Sequence, residues 1–167
     1  IPRKAAVMAK GFGMKLVGYD PYLPKEVADE FGIKMMSIEE LAAVSDVILS
    51  HVPLMPSTEK MVGRNLFDNL KKHPIFVNTS RGGTVDHDAL CDALESGAVR
   101  AAALDVVDEE PANSNSRIFQ YDNVISTPHA AFYSETALEE VRRRSAENVT
   151  HFLSGEGKVE YVVNPKA

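Results

Sequence analysis

Short apolar segments alternate with helix-like segments along nearly the whole chain, and this alternation constrains the fold more than any other feature. The apolar segments are almost uninterrupted, which is typical of strands in a parallel sheet covered on both faces. Strands that alternate with helices predict an α/β fold with a doubly wound parallel sheet. The predicted strands are 15–19, 33–36, 46–51, 75–78, 101–106 and 123–126, and the predicted helices are 2–11, 24–31, 37–44, 65–72, 86–96 and 134–153.

Local signals support several of these boundaries. Ser37 and Glu40 have the spacing of a capping box, which predicts that a helix starts there. Asp86 is a suitable N-cap, and Gly97 stands just after the helix that it would begin. The stretch 108–116 is the one extended loop that we predict.

Charge and cysteine content exclude several classes of function. The chain carries a net charge of −6 and a single cysteine, Cys91. An acidic protein repels nucleic acids and anionic membranes, so neither is an expected partner. One cysteine forms no internal disulfide, which fits a reducing, cytoplasmic location. We find no apolar run of membrane-spanning length and no signal peptide.

Polar residues gather where the predicted strands end. In open parallel sheets, ligands bind beyond the carboxyl ends of the strands. Five groups of residues fall at such positions, and we expect them to form a ligand site: Asp20, 51–53, 79–81, Asp105 with Glu110, and 128–129.

Asp20 follows the predicted strand 15–19, which corresponds to the second strand expected of a nucleotide-binding fold. A carboxylate there accepts hydrogen bonds from the adenosine ribose hydroxyls and repels a 2′-phosphate, which selects NAD over NADP. An aspartate before Pro21 is also a common start of a turn. The sequence alone leaves both interpretations open.

Three residues have the chemistry to reduce a carbonyl compound. Arg81 could hold a substrate carboxylate bidentately, and the glycines that follow it allow a ligand to approach. His129 could donate the proton that a carbonyl oxygen needs as hydride reaches the carbon. A carboxylate such as Glu110 could orient this imidazole and stabilise its charged form. Each residue also has an interpretation without a catalytic role. Arg81 could be a surface arginine, His129 an isolated histidine, and Glu110 part of a solvated acidic loop.

The remaining candidate residues have weaker support. His51 ends a strand at the ligand edge and could line a cofactor site. We expect His73, His87 and His151 at the surface, with no metal cluster. Cys91 lies between helical leucines and is expected to be a packed thiol.

Taken in order, five segments resemble the D-isomer-specific 2-hydroxyacid dehydrogenases. The match covers almost the whole chain, and the stretch 128–135 looks most like the C-terminal binding protein branch. The five segments are 11–15 leading to 19–21, 51–54, 78–83, 102–106 leading to 110–111, and 127–131.

The resemblance implies a Rossmann-like fold, an NAD cofactor and a set of roles. Arg81 would hold the carboxylate of a 2-oxo acid, His129 would be the general acid and base, and Glu110 its partner. A homodimer is expected as well. The residues expected to bind the cofactor are Ile1, Asp20, Val52, Thr58, Thr79, Asp105, Ala130 and Ala131.

The same resemblance implies a particular domain organisation. Residues 1–133 would be an N-terminally truncated NAD-binding domain, with the first strand and the glycine loop upstream of Ile1. Residues 134–167 would be a long helix and tail returning toward an otherwise absent substrate domain. Two rival functions stay open: an NAD-sensing scaffold of the C-terminal binding protein type, and an inactive fragment.

Overall fold

The computed structural model describes residues 1–162, which fall into two compact units. The first unit is Ile1–His129, and the second begins at Ala130. The first unit contains α1 (Pro2–Gly11), β1 (Leu16–Gly18), α2 (Lys25–Phe31), β2 (Ile33–Met35), α3 (Ile38–Val44), β3 (Val47–Ser50), α4 (Arg64–Phe67), β4 (Ile75–Asn78), α5 (His87–Glu95), β5 (Ala101–Leu104) and β6 (Val124–Ser126).

The six strands found within residues 1–162 pair in parallel, as the alternation of strands and helices predicts. They form two sheets rather than one. A two-stranded sheet has the order β1-β2, and a four-stranded sheet has the order β3-β4-β5-β6. The strands β1 and β3 each pair on one side only.

The hydrophobic core lies against one face of the four-stranded sheet. Ile48, Phe76 and Leu104 alternate with less buried neighbours along their strands, and they pack with residues of α4 and α5. The opposite face is less well covered, since Val47 and Leu49 are 40% and 47% exposed. The expectation that both faces are covered is therefore met on one face only.

The predicted helix caps are confirmed. Ser37 accepts a hydrogen bond from the Glu40 amide at 3.2 Å, and the Glu40 side chain accepts one from the Ser37 amide. Asp86 accepts a hydrogen bond from the Ala89 amide at 3.1 Å. These side chains satisfy amide groups that have no partner inside the helix, so they fix where α3 and α5 begin.

The helix predicted at 65–72 is shorter in the structure. Helix α4 ends at Phe67. The Asn69 amide bonds to the Leu66 carbonyl at 3.1 Å, three residues back, and its side chain bonds to the Asn65 carbonyl at 2.9 Å. Asparagine competes in this way with the helical hydrogen-bond pattern, so a turn replaces the predicted second half of the helix.

Two short 3-10 helices, Gly82–Thr84 and Arg117–Gln120, were not predicted. The first follows Arg81 directly and shapes the loop that carries it.

The second unit contains α6 (Glu135–Ser154), close to the predicted helix at 134–153. Ser134 caps its first turn, and Gly155 ends it in a left-handed conformation. Within residues 1–162, none of the helices has the length and apolar content needed to cross a membrane.

Candidate active site

The loops that follow strands β3 to β6 leave the sheet at the same edge. Ser50 is paired in register with Asn78, Asn78 with Leu104, and Leu104 with Ser126. These are the last residues of the four parallel strands, so the segments after them start side by side. Four of the five predicted polar groups therefore share one edge. The fifth, Asp20, follows β1 in the other sheet.

The structure brings His129 and Glu110 together. The Nδ1 atom of His129 lies 2.8 Å from Oε2 of Glu110, and each side chain is 41% exposed. The two residues are 19 positions apart and belong to loops after different strands. The pair is therefore a product of the fold, and it is open enough for a ligand to reach.

The backbone of His129 has an unusual conformation. Its φ angle is 53°, a region that residues other than glycine rarely adopt. Its amide donates hydrogen bonds to the carbonyl of Asp105 at 2.9 Å and to that of Thr127 at 3.0 Å. Such conformations persist where the surrounding structure fixes them, and they are concentrated at functional sites.

Arg81 is exposed, and its loop packs against the loop that leads to Glu110. Its Nη1 atom donates to the Ser80 carbonyl at 2.7 Å. The next residue, Gly82, has no room for a side chain, since a Cβ atom there would lie 1.7 Å from the Val107 carbonyl oxygen. This close approach brings the segment that carries Arg81 against the start of the segment that carries Glu110.

Asp105 is buried at the end of β5 and connects two neighbouring loops. Its carboxylate accepts a hydrogen bond from the Thr127 hydroxyl at 2.5 Å. Its backbone amide donates to the Asn78 carbonyl at 2.9 Å. Thr79, another predicted cofactor ligand, follows Asn78 and is exposed at the same edge.

Two buried polar atoms at the end of β3 lack a hydrogen-bond partner among the described residues. They are Oγ of Ser50 and Nε2 of His51. Burial lowers the pKa of His51, which favours the neutral ring. Buried polar atoms are normally satisfied by protein, water or a ligand, so this part of the edge fits a polar cofactor that supplies hydrogen bonds.

Asp20 starts a turn in the structure. Its Oδ1 accepts a hydrogen bond from the Tyr22 amide at 2.9 Å, and its side chain is exposed. The prediction that Asp20 starts a turn is therefore confirmed for its local contacts. A contact with a ribose stays a prediction.

Thr58 shapes the loop that follows β3. Its hydroxyl donates to the Pro53 carbonyl at 2.5 Å and accepts from the Met55 amide at 2.8 Å. The side chain is 9% exposed. Val52 lies half-buried in the same loop. These contacts assign Thr58 a role in loop structure, and its direct contact with a cofactor stays a prediction.

The remaining predicted cofactor residues lie at the limits of the two units. Ile1 is the N-cap residue of α1, and its carbonyl accepts hydrogen bonds from the amides of Lys4 and Ala5. Ala130 and Ala131 are exposed and begin the second unit.

His87 is buried, which corrects the prediction that it lies at the surface. It is 9% exposed, and neither ring nitrogen has a hydrogen-bond partner among the described residues. Burial lowers its pKa, and the nearby Asp108, 3.9 Å from Nδ1, opposes that shift. The error arose because His87 is the first residue of α5, where sequence periodicity does not show which side is covered.

Sequence reasoning also missed three polar residues that hold the loops in place: Asn78, Thr84 and Thr127. For Asn78 and Thr127 the available signal was their position, since each lies at or directly after a strand end. Thr84 lies in the 3-10 helix after Arg81 and had no such signal.

Residues 1–131 match a family model described as the D-isomer specific 2-hydroxyacid dehydrogenase, NAD binding domain. A D-3-phosphoglycerate dehydrogenase from Methanocaldococcus jannaschii is 44% identical over 165 residues, which is 98% of this chain and 31% of that protein.

Solved structures give the same result. A D-lactate dehydrogenase with NAD⁺ from Lactobacillus jensenii matches with a TM-score of 0.84 and 28% identity, over 96% of this chain and 52% of that one. A D-lactate dehydrogenase from Aquifex aeolicus, complexed with NAD and lactic acid, matches with a TM-score of 0.83 and 32% identity, over 91% and 50%. This chain thus spans about half the length of the two lactate dehydrogenase structures, and less than a third of the length of the phosphoglycerate dehydrogenase.

The narrower resemblance to the C-terminal binding proteins gains no support from these relatives. They are a phosphoglycerate dehydrogenase and two lactate dehydrogenases. The aromatic residues after His129, on which that resemblance depended, are short-range features and do not identify a branch.

Proposed function

The chain belongs to the D-isomer specific 2-hydroxyacid dehydrogenase family, and from this premise we propose that it is the NAD-binding part of an enzyme that interconverts a 2-oxo acid and a D-2-hydroxy acid. The observation that carries the proposal is the hydrogen bond of 2.8 Å between His129 and Glu110. A histidine held by a carboxylate at a ligand-binding edge is equipped for proton transfer.

His129 is the general acid in the direction of reduction. Its Nδ1 donates to Glu110, which orients the ring. The ring then delivers its proton through Nε2 to the carbonyl oxygen of the substrate. In the reverse direction, the neutral ring accepts the proton from the hydroxyl group.

Arg81 binds the substrate carboxylate. Its guanidinium offers parallel donors that match a carboxylate, and its loop lies against the segment leading to Glu110. NADH, when bound, supplies the hydride that reduces the carbonyl carbon. Asp105 and the polar atoms at the end of β3 are suitable to hold the cofactor beside these residues.

Asp20 contributes to the choice of cofactor. Its exposed carboxylate follows β1 and is suited to bind an adenosine ribose. We expect the full-length protein to prefer NADH over NADPH, and Asp20→Ala to narrow that preference in steady-state kinetics. Asp29→Ala, which removes another exposed carboxylate, is the control. A wild-type protein that prefers NADPH would show that the assignment is wrong.

The catalytic protein extends beyond this chain in our proposal. Residues 1–133 correspond to the NAD-binding domain, and residues 134–167 lead toward a substrate domain. The one-sided pairing of β1 and β3 supports a further strand between them. The relatives are also two to three times longer than the matched region. The homodimer stays a prediction.

The test is turnover by the full-length protein. We expect it to oxidise NADH in the presence of a 2-oxo acid, and to reduce NAD with the D but not the L isomer of the matching 2-hydroxy acid. The panel should include pyruvate, glyoxylate and a phosphorylated 2-oxo acid, since the relatives act on lactate or phosphoglycerate by name. A protein that binds NADH tightly but reduces none of these would favour the NAD-sensing scaffold.

A further inference from the structure

Two buried polar side chains hold the backbone of the substrate-binding arginine. We propose that Asn78 and Thr84 are positioning residues that fix Arg81, so that substrate binding reorients only the guanidinium group. The inference rests on the proposed function, since it assigns Arg81 to the substrate carboxylate. It concerns two residues that act through Arg81 and do not themselves touch substrate.

Both side chains donate to the same atom. The Thr84 hydroxyl lies 2.7 Å from the Arg81 carbonyl oxygen, and Nδ2 of Asn78 lies 3.1 Å from it. Both residues are 0% exposed. The two side chains approach the carbonyl from opposite sides of Arg81 in the sequence, and the Thr84 amide adds a longer hydrogen bond to the same oxygen at 3.3 Å. The peptide group that follows the Arg81 Cα atom is therefore fixed in position.

Asn78 also fixes the residue before Arg81. Its Oδ1 accepts hydrogen bonds from the amide of Ser80 at 3.0 Å and from the Ser80 hydroxyl at 2.8 Å. Asn78 itself is the last residue of β4, and its carbonyl accepts the Asp105 amide. The loop is therefore folded around a side chain that the sheet holds in place.

The other end of the loop is equally well anchored. The Thr84 carbonyl accepts the Val62 amide at 3.0 Å, which ties the turn to a neighbouring segment. Gly82 is pressed against the Val107 carbonyl, so the backbone has no space to move in that direction. Arg81 thus lies on a rigid turn, although its own side chain is exposed.

With its backbone fixed, Arg81 can still move its guanidinium group. In the structure its Nη1 bonds to the Ser80 carbonyl, a contact that an incoming carboxylate would replace with a charge-assisted pair. A rigid backbone limits this exchange to side-chain torsions, which lowers the entropic cost of holding the substrate. Burying an amide and a hydroxyl is costly unless both are satisfied. The Asn78 amide and the Thr84 hydroxyl are both satisfied by the backbone of Arg81, the residue that we assign to the substrate carboxylate.

The experiment compares Thr84→Val with Thr84→Ser in the full-length protein. Valine keeps the shape but cannot donate, while serine keeps the hydroxyl. We expect Thr84→Val to raise KM for the 2-oxo acid by about tenfold with a smaller effect on kcat, because a buried hydrogen bond is lost from the arginine's anchor. The Kd of NADH should stay unchanged, and Thr84→Ser should restore KM. Asn78→Asp, which removes the second donor, should change KM in the same direction.

Ser45→Ala is the matched control. Ser45 is also buried and donates to a backbone carbonyl, that of Leu41 at 2.8 Å, but it precedes β3 at the end of the strand opposite the site. Its replacement should lower the melting temperature and leave KM unchanged. An equal rise of KM in this control would mean that any loss of stability has this effect, and the inference would be wrong.

A crystal structure of Thr84→Val separates this inference from the proposed function. If the wild type has no reductase activity, the proposed function fails, and the displacement of Arg81 alone decides the inference. An Arg81 backbone that superposes on the wild type, or an unchanged KM in an active variant, would overturn it. Failure of both Thr84→Val and Asn78→Asp to fold would also overturn it, since the contacts would then serve the fold alone.

Discussion

His129 has two unusual features at the level of the single residue, and both are consequences of its surroundings. Its φ of 53° is held by amide contacts to the Asp105 and Thr127 carbonyls. Its ring is held by Glu110. Backbone strain of this kind costs about 1–3 kcal/mol, and neighbouring contacts must offset it. A side chain placed by both its backbone and its ring contact has little freedom, which suits a group that transfers a proton along one direction.

The first prediction concerns this pair. In the full-length protein, His129→Ala should reduce turnover by roughly 10²–10⁴-fold, because the general acid is lost. Glu110→Gln should reduce it less, because the amide can still orient the ring but carries no charge. The Kd of NADH, measured by fluorescence titration, should stay close to that of the wild type in both variants. Near-normal turnover in His129→Ala would remove this histidine from the mechanism.

The second prediction concerns His87 and pH. Burial lowers its pKa in the folded state, against the opposing charges of Asp108, Asp86 and Asp88. In the unfolded chain the imidazole has its ordinary pKa of about 6.5, so the unfolded state binds the proton first as pH falls. The contribution of His87 to the free energy of unfolding is therefore lost below that pH. We expect His87→Leu to weaken the decrease in melting temperature between about pH 7.5 and pH 5.5.

The control for this experiment is His73→Asn. His73 is exposed, and its Nδ1 lies 2.6 Å from the Gly97 carbonyl oxygen. Asparagine tolerates the φ of 50° and keeps a side-chain donor for that carbonyl. This variant should keep the pH dependence of the wild type. If His87→Leu and the wild type show the same decrease, the buried ring does not titrate with folding.

At the level of elements, the site depends on the contact between the loop after β4 and the loop after β5. Gly82 makes this contact possible, since any Cβ would overlap the Val107 carbonyl. The first loop carries Arg81 and the second carries Glu110. A change at the contact should therefore disturb residues of both loops, although Gly82 has no side chain to take part in chemistry.

The third prediction follows from this contact. Gly82→Ala should destabilise the full-length protein by about 1–3 kcal/mol, because backbone atoms must move to admit the methyl group. It should also reduce turnover, because the loops that carry Arg81 and Glu110 are forced apart. Gly11→Ala is the control, since its Cβ would meet nothing within 4 Å, and alanine favours the helix. Equal melting temperatures for Gly82→Ala and the wild type would contradict the close approach.

Most elements could be predicted from sequence because their signals are short-range. The caps at Ser37 and Asp86 and the apolar strands depend on residues within a few positions of each other. Helix α4 was extended too far because its true end depends on Asn69, whose side chain competes for the backbone. The 3-10 helix at Gly82–Thr84 was missed because long-range contacts with other loops stabilise it.

At the level of the whole molecule, apolar residues of the sheets and of α1 are uncovered within residues 1–162. β1 and β3 each have an unpaired edge, and several large apolar side chains are more than half exposed, among them Val7, Met8 and Ile125 at 59%, 62% and 70%. Unpaired strand edges and exposed apolar surface promote association with other chains.

The fourth prediction is that residues 1–167 alone do not form a stable, NAD-binding monomer. A domain is stable by only about 5–15 kcal/mol, and an open sheet with one poorly covered face loses a large part of that. Thermal unfolding, light scattering and an NADH fluorescence titration of the isolated polypeptide would test it. A cooperative transition in a monomer that binds NADH at micromolar levels would refute the prediction.

The sequence by itself determined the alternation of strands and helices, the parallel sheet, and the positions of Arg81, Glu110 and His129 after the strands. These follow from periodicity and short motifs, which are properties of neighbouring residues. The family resemblance also pairs Glu110 with His129, and the structure gives that pair its 2.8 Å contact. Only the tertiary structure decided that two buried side chains donate to the Arg81 carbonyl and that His87 is buried. These contacts join segments that are distant in sequence, and they depend on strand register and on the direction in which each side chain packs.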